Sequence, residues 1–156
     1  IKERIENTIL EVAYDLAQTE KNYFIIGSSA LALLGVDIES TEDIDILTSK
    51  EDALNLQKLW KDRIVENHIP QRSDLFRSYF NRYRFQKMDI EVMGDLEINI
   101  DRKWVLLTVN DYNIYRIGGM EIKIPTLQEQ RRILTLFGRE KDLKKIKLID
   151  NYLSKY

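Results

Sequence analysis

The chain has 156 residues, with 24 basic and 26 acidic side chains, a net charge of −2 and no cysteine. We expect one domain over residues 1–156, with a core large enough to fold without a disulfide or a structural metal. The absence of cysteine excludes disulfides, thiolate metal sites and cysteine nucleophiles, and it suits a reducing cytoplasm. The slightly acidic balance argues against a dedicated duplex-binding protein, which would be strongly basic.

The apolar segments of the chain are short. The longest, such as residues 23–26 and 30–34, fall far below the roughly 20 residues that span a bilayer, so no membrane partner is expected. No signal-peptide pattern opens the sequence, and a cytoplasmic location is therefore predicted.

The first elements follow from periodicity and turn residues. Helical spacing of apolar residues predicts a helix over about residues 2–18, and residues 23–26 form a short apolar strand. Ser28 or Ser29 can cap a short helix that continues to Leu34. Residues 43–47 are a second strand, and cap chemistry predicts a helix over about 51–65, whose buried side chains include Leu54, Leu59 and Trp60.

The second half of the chain is richer in strands. Short strands are predicted at 76–85, 88–93, 98–100, 104–109, 114–117 and 121–124, with a two-residue hairpin turn at 118–119. A capping box at 126–129 opens a helix that ends near residue 137, and a basic amphipathic helix covers 141–156. The pattern predicts an α+β (α/β) fold whose C-terminal helical segment covers about residues 125–156.

Asp43 and Asp45 are the most informative residues of the chain. They alternate with apolar residues in a predicted strand, so their side chains share a face and their Cα atoms lie roughly 6.5–7 Å apart. Like charges on one sheet face repel, so the pair adds no stability by itself. The usual occupant of such a point is a divalent cation with oxygen ligands, typically Mg²⁺; two solvated acids at a strand end are the alternative.

The turn at Gly27, Ser28 and Ser29 has the chemistry of a phosphate site. Glycine lets the backbone approach a ligand, a serine hydroxyl donates a hydrogen bond, and a helix N-terminus presents free N–H groups. A purely structural turn of small residues is the alternative.

A second pair of alternating acids, Asp89 and Glu91, lies on the predicted strand 88–93. A metal held by two carboxylates needs further ligands, and a neighbouring strand that brought Asp89 or Glu91 alongside would supply one. An exposed sheet face is the alternative.

The order of these features resembles the nucleotidyltransferases related to DNA polymerase beta, in their minimal form. The matching segments are 26–28, 41–46 and 90–94, and residues 138–142 look like the C-terminal motif of small members. Such members include lincosamide and aminoglycoside nucleotidyltransferases and the transferase toxins of type IV toxin–antitoxin systems.

This resemblance implies a mixed sheet flanked by helices and transfer of a nucleoside monophosphate from a nucleoside triphosphate to an acceptor hydroxyl, with release of pyrophosphate. It implies a two-ion Mg²⁺ site in which Asp43 and Asp45 are catalytic metal ligands. Glu91 is the third carboxylate, a general base in several relatives, with Asp89 as its competitor because the family usually has aspartate there. The triphosphate is expected to contact Gly27, Ser28, Ser29, Arg139 and Lys141.

The remaining polar residues are open to two interpretations. Arg139 and Lys141 could instead begin a surface helix, which Asp142 is expected to cap. The arginine- and aromatic-rich run 71–84 could bind nucleotides or form an edge strand. His68, the only histidine, has no partner pattern around it and is interpreted as an ordinary surface residue.

Three hypotheses for function follow. The first is an Mg²⁺-dependent nucleotidyltransferase that acts on a small molecule or an RNA end. The second is a toxin-type transferase that modifies tRNA or protein, and the third is a non-catalytic relative that binds a partner. The small size suggests that a homodimer could complete the acceptor site.

Overall fold

The computed structural model describes residues 1–19, 23–70 and 72–155; Gln71 and Tyr156, which fall in predicted segments, lie outside these ranges. The helices are α1 (Lys2–Ala17), α2 (Gly27–Leu33), α3 (Lys50–Leu59), α4 (Leu127–Phe137) and α5 (Glu140–Lys155). The strands are β1 (Phe24–Ile26), β2 (Asp43–Thr48), β3 (Phe76–Arg84), β4 (Asp89–Ile100), β5 (Lys103–Leu106), β6 (Tyr112–Ile117) and β7 (Met120–Pro125).

The five strands β1 to β5 form one mixed sheet. Its order is β1-β2-β4-β3, and β5 pairs with the end of β4. Strands β2 and β4 are parallel, whereas the other neighbours are antiparallel. Strands β6 and β7 form a separate hairpin, as the glycine pair predicted. The mixed sheet with flanking helices confirms the α+β prediction.

The two faces of the sheet have different roles. One face carries the main core, in which α1 and α3 pack over sheet residues Ile25, Ile44, Ile46, Ile90 and Val92. The other face carries a smaller cluster that includes Ile26 and Leu47 and is covered by Ile133 of α4. Because side chains alternate along β2, Asp43 and Asp45 project from this second face, beside the smaller cluster.

Helix α3 packs closely on the sheet at Ala53. Its buried side chains are Asp52, Ala53 and Leu56, whereas Leu54 is 39% exposed and Leu59 is 57% exposed. The prediction that Leu54 and Leu59 are buried is therefore wrong. The reason is Gly94 of β4, whose missing side chain lets the helix approach so closely that Ala53 faces the sheet.

Gly94→Ala is expected to destabilise the protein by about 1–3 kcal/mol, because an added Cβ would lie 2.6 Å from the Cβ of Ala53 and 3.0 Å from the carbonyl oxygen of Ser49. Urea unfolding measures this loss. In an Ala53→Gly background, which lacks the shortest of these contacts, the same Gly94→Ala change should cost less than it does in the parent. Equal stability of Gly94→Ala and the parent would contradict the close approach.

Two element boundaries differ from the prediction. Helix α3 ends at Leu59 rather than near residue 65, because the chain turns through Lys61–Arg63 and Ile64 then forms a bridge with Tyr83. Residues 88–93 and 98–100, predicted as separate strands, are one continuous β4. Arg77 of β3 pairs with Glu97 of β4, and Tyr79 pairs with Gly94, so β4 has one extra residue between these two pairings. The extra residue makes a β-bulge, and the strand continues through it.

The N-terminus of α4 has half of the predicted capping box. The Thr126 hydroxyl accepts a hydrogen bond from the backbone N–H of Glu129 at 3.1 Å, as expected. The Glu129 carboxylate does not complete the box, because it accepts the backbone N–H of Asn110 and pairs with Arg132. This acid thus ties the segment after β5 to α4.

Candidate active site

The acidic site is built by the register of two parallel strands. Asp43 of β2 lies opposite Asp89 of β4, and Asp45 lies opposite Glu91. Asp43, Asp45 and Glu91 each offer a carboxylate oxygen within 4.8 Å of the others, and together they are the acidic cluster of this article. The structure therefore brings both members of the predicted pair and Glu91 to one point.

Asp45 is the innermost member of the cluster. Burial, together with the nearby charges of Asp43 and Glu91, raises the pKa of Asp45 from 3.8 to about 8. Its Oδ1 is buried and has no hydrogen-bond partner among the described residues. The charge of Lys145 acts to lower the pKa of Asp45, but it does not outweigh burial and the two acidic neighbours.

These residues fit a divalent cation. Mg²⁺ prefers oxygen ligands, is bound through one or two carboxylates and keeps water and phosphate oxygens as its other ligands. The acidic cluster offers only carboxylate oxygens, and the orphaned Oδ1 of Asp45 is a ligand atom without another use. A cation here would lower the pKa of Asp45 and relieve the crowding of negative charge.

The glycine turn lies directly against the acidic cluster. Gly27 begins α2 with a φ of 77°, and a Cβ on it would come within 2.7 Å of Asp45 Oδ2. Ser29 is buried, and its hydroxyl donates to the carbonyl oxygen of Asp43 at 2.7 Å. Its side chain therefore positions β2, and its contact with a triphosphate stays a prediction. Ser28 is half-buried at the start of the helix.

The family of the chain is shown by comparison with known proteins. Residues 8–147 match the family model of aminoglycoside-2''-adenylyltransferase. The chain belongs to this family. Membership places it among the nucleotidyltransferases, as the resemblance implied. No curated protein matches the chain at a significant level.

Solved structures share the fold of this adenylyltransferase-family chain. A Thermotoga maritima protein, itself only inferred to be a nucleotidyltransferase, is 21% identical, with a TM-score of 0.74 over 96% of this chain and 92% of its own. The lincosamide antibiotic adenylyltransferase LnuA, solved with lincomycin, is 13% identical, with a TM-score of 0.58 over 95% and 96% of the two chains. ANT(2'')-Ia, solved with adenylyl-2''-tobramycin, is 12% identical, with a TM-score of 0.57 over 95% and 88%.

The arginine-rich run places one residue inside the site. Arg82 of the edge strand β3 donates from Nη1 to Asp43 at 3.1 Å and to Glu91 at 3.2 Å, and from Nε to Asp89 at 2.8 Å. Burial disfavours its charge, yet these carboxylates raise the pKa of Arg82 above its ordinary value. Asp89, the competitor for the third carboxylate, thus binds arginine and is not a member of the acidic cluster.

His68 was interpreted as an ordinary surface residue, and this is wrong. Its Nε2 lies 3.2 Å from Glu91 Oε2, and its ring stacks on Phe80 at a centroid distance of 5.6 Å. Its segment reaches the site only because β3 lies beside β4, and nothing in the local sequence marks that position.

The C-terminal motif of this adenylyltransferase-family chain divides into three roles. Asp142 is fully buried; it accepts the backbone N–H of Arg139 at 3.1 Å and pairs with the Arg139 guanidinium, so its predicted capping role is confirmed. Arg139 lines a pocket of about 30 Å³ together with Gly27 and Asp45. Lys141 is exposed.

Lys145 is a site residue that the sequence analysis missed. It lines the same pocket as Asp45 and Asp142. Burial lowers the pKa of Lys145, although the charges of Asp45 and Asp142 oppose the shift. The sequence did contain a signal for Lys145. Residues 142, 145 and 149 share one face of the helix, and Asp142 and Ile149 on that face are buried. A lysine on a buried helix face indicates a charged partner.

Arg139→Ala is expected to cost about 3 kcal/mol of folding free energy, because it removes the guanidinium that pairs directly with the buried Asp142 carboxylate. The matched control is Arg131→Ala. Arg131 and Asp150 form a similar ion pair, but their side chains are 43% and 47% exposed, so this pair should contribute under about 1 kcal/mol to stability. Chemical denaturation of both variants measures the difference. Equal losses would contradict a structural role for the Arg139–Asp142 pair.

Proposed function

We propose that this protein is a Mg²⁺-dependent adenylyltransferase that transfers AMP from ATP to a hydroxyl of a small-molecule acceptor. The observation that carries the proposal is the convergence of Asp43, Asp45 and Glu91 beside the Gly27 turn. Membership of an adenylyltransferase family supports ATP as the nucleotide and an aminoglycoside as the first acceptor class to test.

The chain's own groups divide the work of this reaction. Asp43 and Asp45 would hold the metal, and Glu91 rather than Asp89 would be the third carboxylate, because Glu91 lies within the acidic cluster and Asp89 does not. Bound Mg²⁺ supplies charge neutralisation for the triphosphate and for the pyrophosphate leaving group. The start of α2 at Gly27 and Ser28, with Arg139 and Lys145 across the pocket, would bind phosphate oxygens.

The chemical step is an in-line displacement at the α-phosphorus. The acceptor oxygen forms a bond to that phosphorus while the bond to the bridging oxygen of pyrophosphate breaks, and Glu91 takes the proton of the hydroxyl. His68, next to Glu91, would orient this carboxylate toward the acceptor. Lys141 is exposed, and we assign it to attracting the nucleotide rather than to binding it.

A transfer screen tests the proposal. The protein is incubated with MgCl₂ and ATP labelled at the α-phosphate, in the presence of aminoglycosides, lincosamides, total tRNA or no acceptor. We expect a labelled aminoglycoside product and stoichiometric pyrophosphate. Label on tRNA or on protein would support the toxin-type transferase, and pyrophosphate release with no labelled product in any arm would contradict nucleotidyl transfer to these acceptors.

A further inference from the structure

Arg82 has an unusual place among the charged side chains of the described residues. It contacts three carboxylates, and only 18% of its side chain is exposed. Its Nη1 is shared between Asp43 and Glu91, two of the three members of the acidic cluster. Two of the carboxylates that a divalent cation would need are therefore already paired with a positive group of this chain.

Asp89 explains how the arginine is held there. Its Oδ2 accepts from Arg82 Nε at 2.8 Å, a contact separate from the two made by Nη1. In the antiparallel register of β3 and β4, Arg82 lies directly opposite Glu91, so the side chain crosses the site face of the sheet. The guanidinium thus has one end fixed by Asp89, beside the acidic cluster, and the other end within the cluster.

A metal ion and a guanidinium that contact the same carboxylates compete for them, because both are positive and repel each other at this distance. An ion pair with this little exposure is also held more firmly than a surface pair, since solvent screens it less. Arg82 and a cation therefore compete for the carboxylates of the acidic cluster.

We propose that Arg82 is a built-in counter-ion of the acidic cluster, and that a divalent cation binds in competition with its Nη1 for Asp43 and Glu91. The inference rests on the proposed function, because it takes the acidic cluster to be the metal site. Arg82 is then a positioning residue that lowers the metal affinity of the site, and Asp89 keeps the guanidinium beside the acidic cluster when a cation binds.

The test titrates Mn²⁺ into the parent, Arg82→Gln and Arg84→Gln. Binding is measured as the loss of the electron paramagnetic resonance signal of free Mn²⁺. Each titration is made first with Mn²⁺ alone and then with a non-hydrolysable ATP analogue. Arg84 is a matched control because it lies two residues along the same strand and also faces Asp89, at 3.6 Å, but is 72% exposed. Thermal unfolding with and without MgCl₂ is recorded for the same proteins.

We expect Arg82→Gln to bind Mn²⁺ about tenfold more tightly than the parent, because the competing charged hydrogen bonds are gone. In EDTA this variant should unfold at a lower temperature than the parent. Addition of MgCl₂ should raise its unfolding temperature by more than it raises that of the parent. Arg84→Gln should match the parent in both measurements. Arg82→Lys keeps the charge but cannot contact all three carboxylates, so its Mn²⁺ affinity should lie between those of Arg82→Gln and the parent. This variant also provides the test if Arg82→Gln does not fold.

Equal or weaker Mn²⁺ binding by both Arg82 variants, with clear binding by the parent, would overturn the inference and leave the proposed function standing. Absence of Mn²⁺ binding in every protein, with or without the nucleotide analogue, would instead overturn the metal site itself. If Arg84→Gln tightened Mn²⁺ binding as much as Arg82→Gln does, the effect would come from general surface charge, and the inference would also be overturned.

Discussion

Replacing Asp45 by asparagine is expected to lower nucleotidyl transfer by at least about 1000-fold and yet to stabilise the metal-free protein at alkaline pH. Activity falls because the innermost carboxylate of the acidic cluster is lost. Stability rises because asparagine has nearly the same shape and never carries the buried charge that burial and its acidic neighbours disfavour at this position.

The pH dependence of stability follows from the raised pKa of Asp45. The folded protein holds this proton with a pKa of about 8, compared with an ordinary value of 3.8, so folding is favoured while Asp45 is protonated. That contribution is complete below about pH 4 and is lost as the pH rises toward about 8. Over this range we expect the parent to lose on the order of a few kcal/mol through Asp45.

Urea unfolding in EDTA at several pH values between 4 and about 9 measures this effect. Asp45→Asn should show a flatter profile than the parent, and the two should differ most at the alkaline end. Asp62→Asn, which removes an exposed acid outside the site, is the control and should follow the parent. A profile of Asp45→Asn as steep as that of the parent would contradict the assignment of the pH effect to this carboxylate.

Gly27→Ala is expected to abolish activity and to destabilise the protein by about 2–4 kcal/mol. Two costs combine at this position: a φ of 77°, which side chains rarely adopt, and a Cβ placed 2.7 Å from Asp45 Oδ2. The clash must move either α2 or the Asp45 carboxylate, so the geometry of the acidic cluster cannot survive. Denaturation and the ATP transfer assay measure the two consequences.

Gly119→Ala separates these costs. Gly119 has a similar φ of 84°, but an added Cβ would meet no atom within 4 Å. We expect it to lose only about 1 kcal/mol and to keep full activity. If Gly27→Ala were as active and as stable as Gly119→Ala, the close packing of the turn on Asp45 would be wrong.

The sequence was sufficient to predict the elements and the acidic pair. Local periodicity placed α1, β2 and α5 within one or two residues of their observed bounds, because these elements have long or regular apolar patterns. Alternation along β2 also required Asp43 and Asp45 to share a face. The resemblance supplied the third acid, and Glu91 rather than Asp89 lies with the pair.

Other parts of the site could not be predicted, because they depend on register and close approach between distant segments. Arg82 enters the acidic cluster because β3 pairs with β4 in a particular antiparallel register, which the sequence does not encode locally. His68 reaches Glu91 for the same reason. The buried face of α3 was mispredicted because Gly94 admits Ala53, a contact that ranking residues by hydrophobic size overlooks.

Calorimetric titration of a non-hydrolysable ATP analogue tests the central claim most directly, namely that the acidic cluster binds a metal-bound nucleotide. The parent is titrated in MgCl₂ and in EDTA, and the double variant Asp43→Asn with Asp45→Asn is titrated in MgCl₂. We predict clear binding by the parent in MgCl₂ and at least about tenfold weaker binding in each of the other two cases. Equal affinity of the double variant and the parent in MgCl₂ would contradict the account.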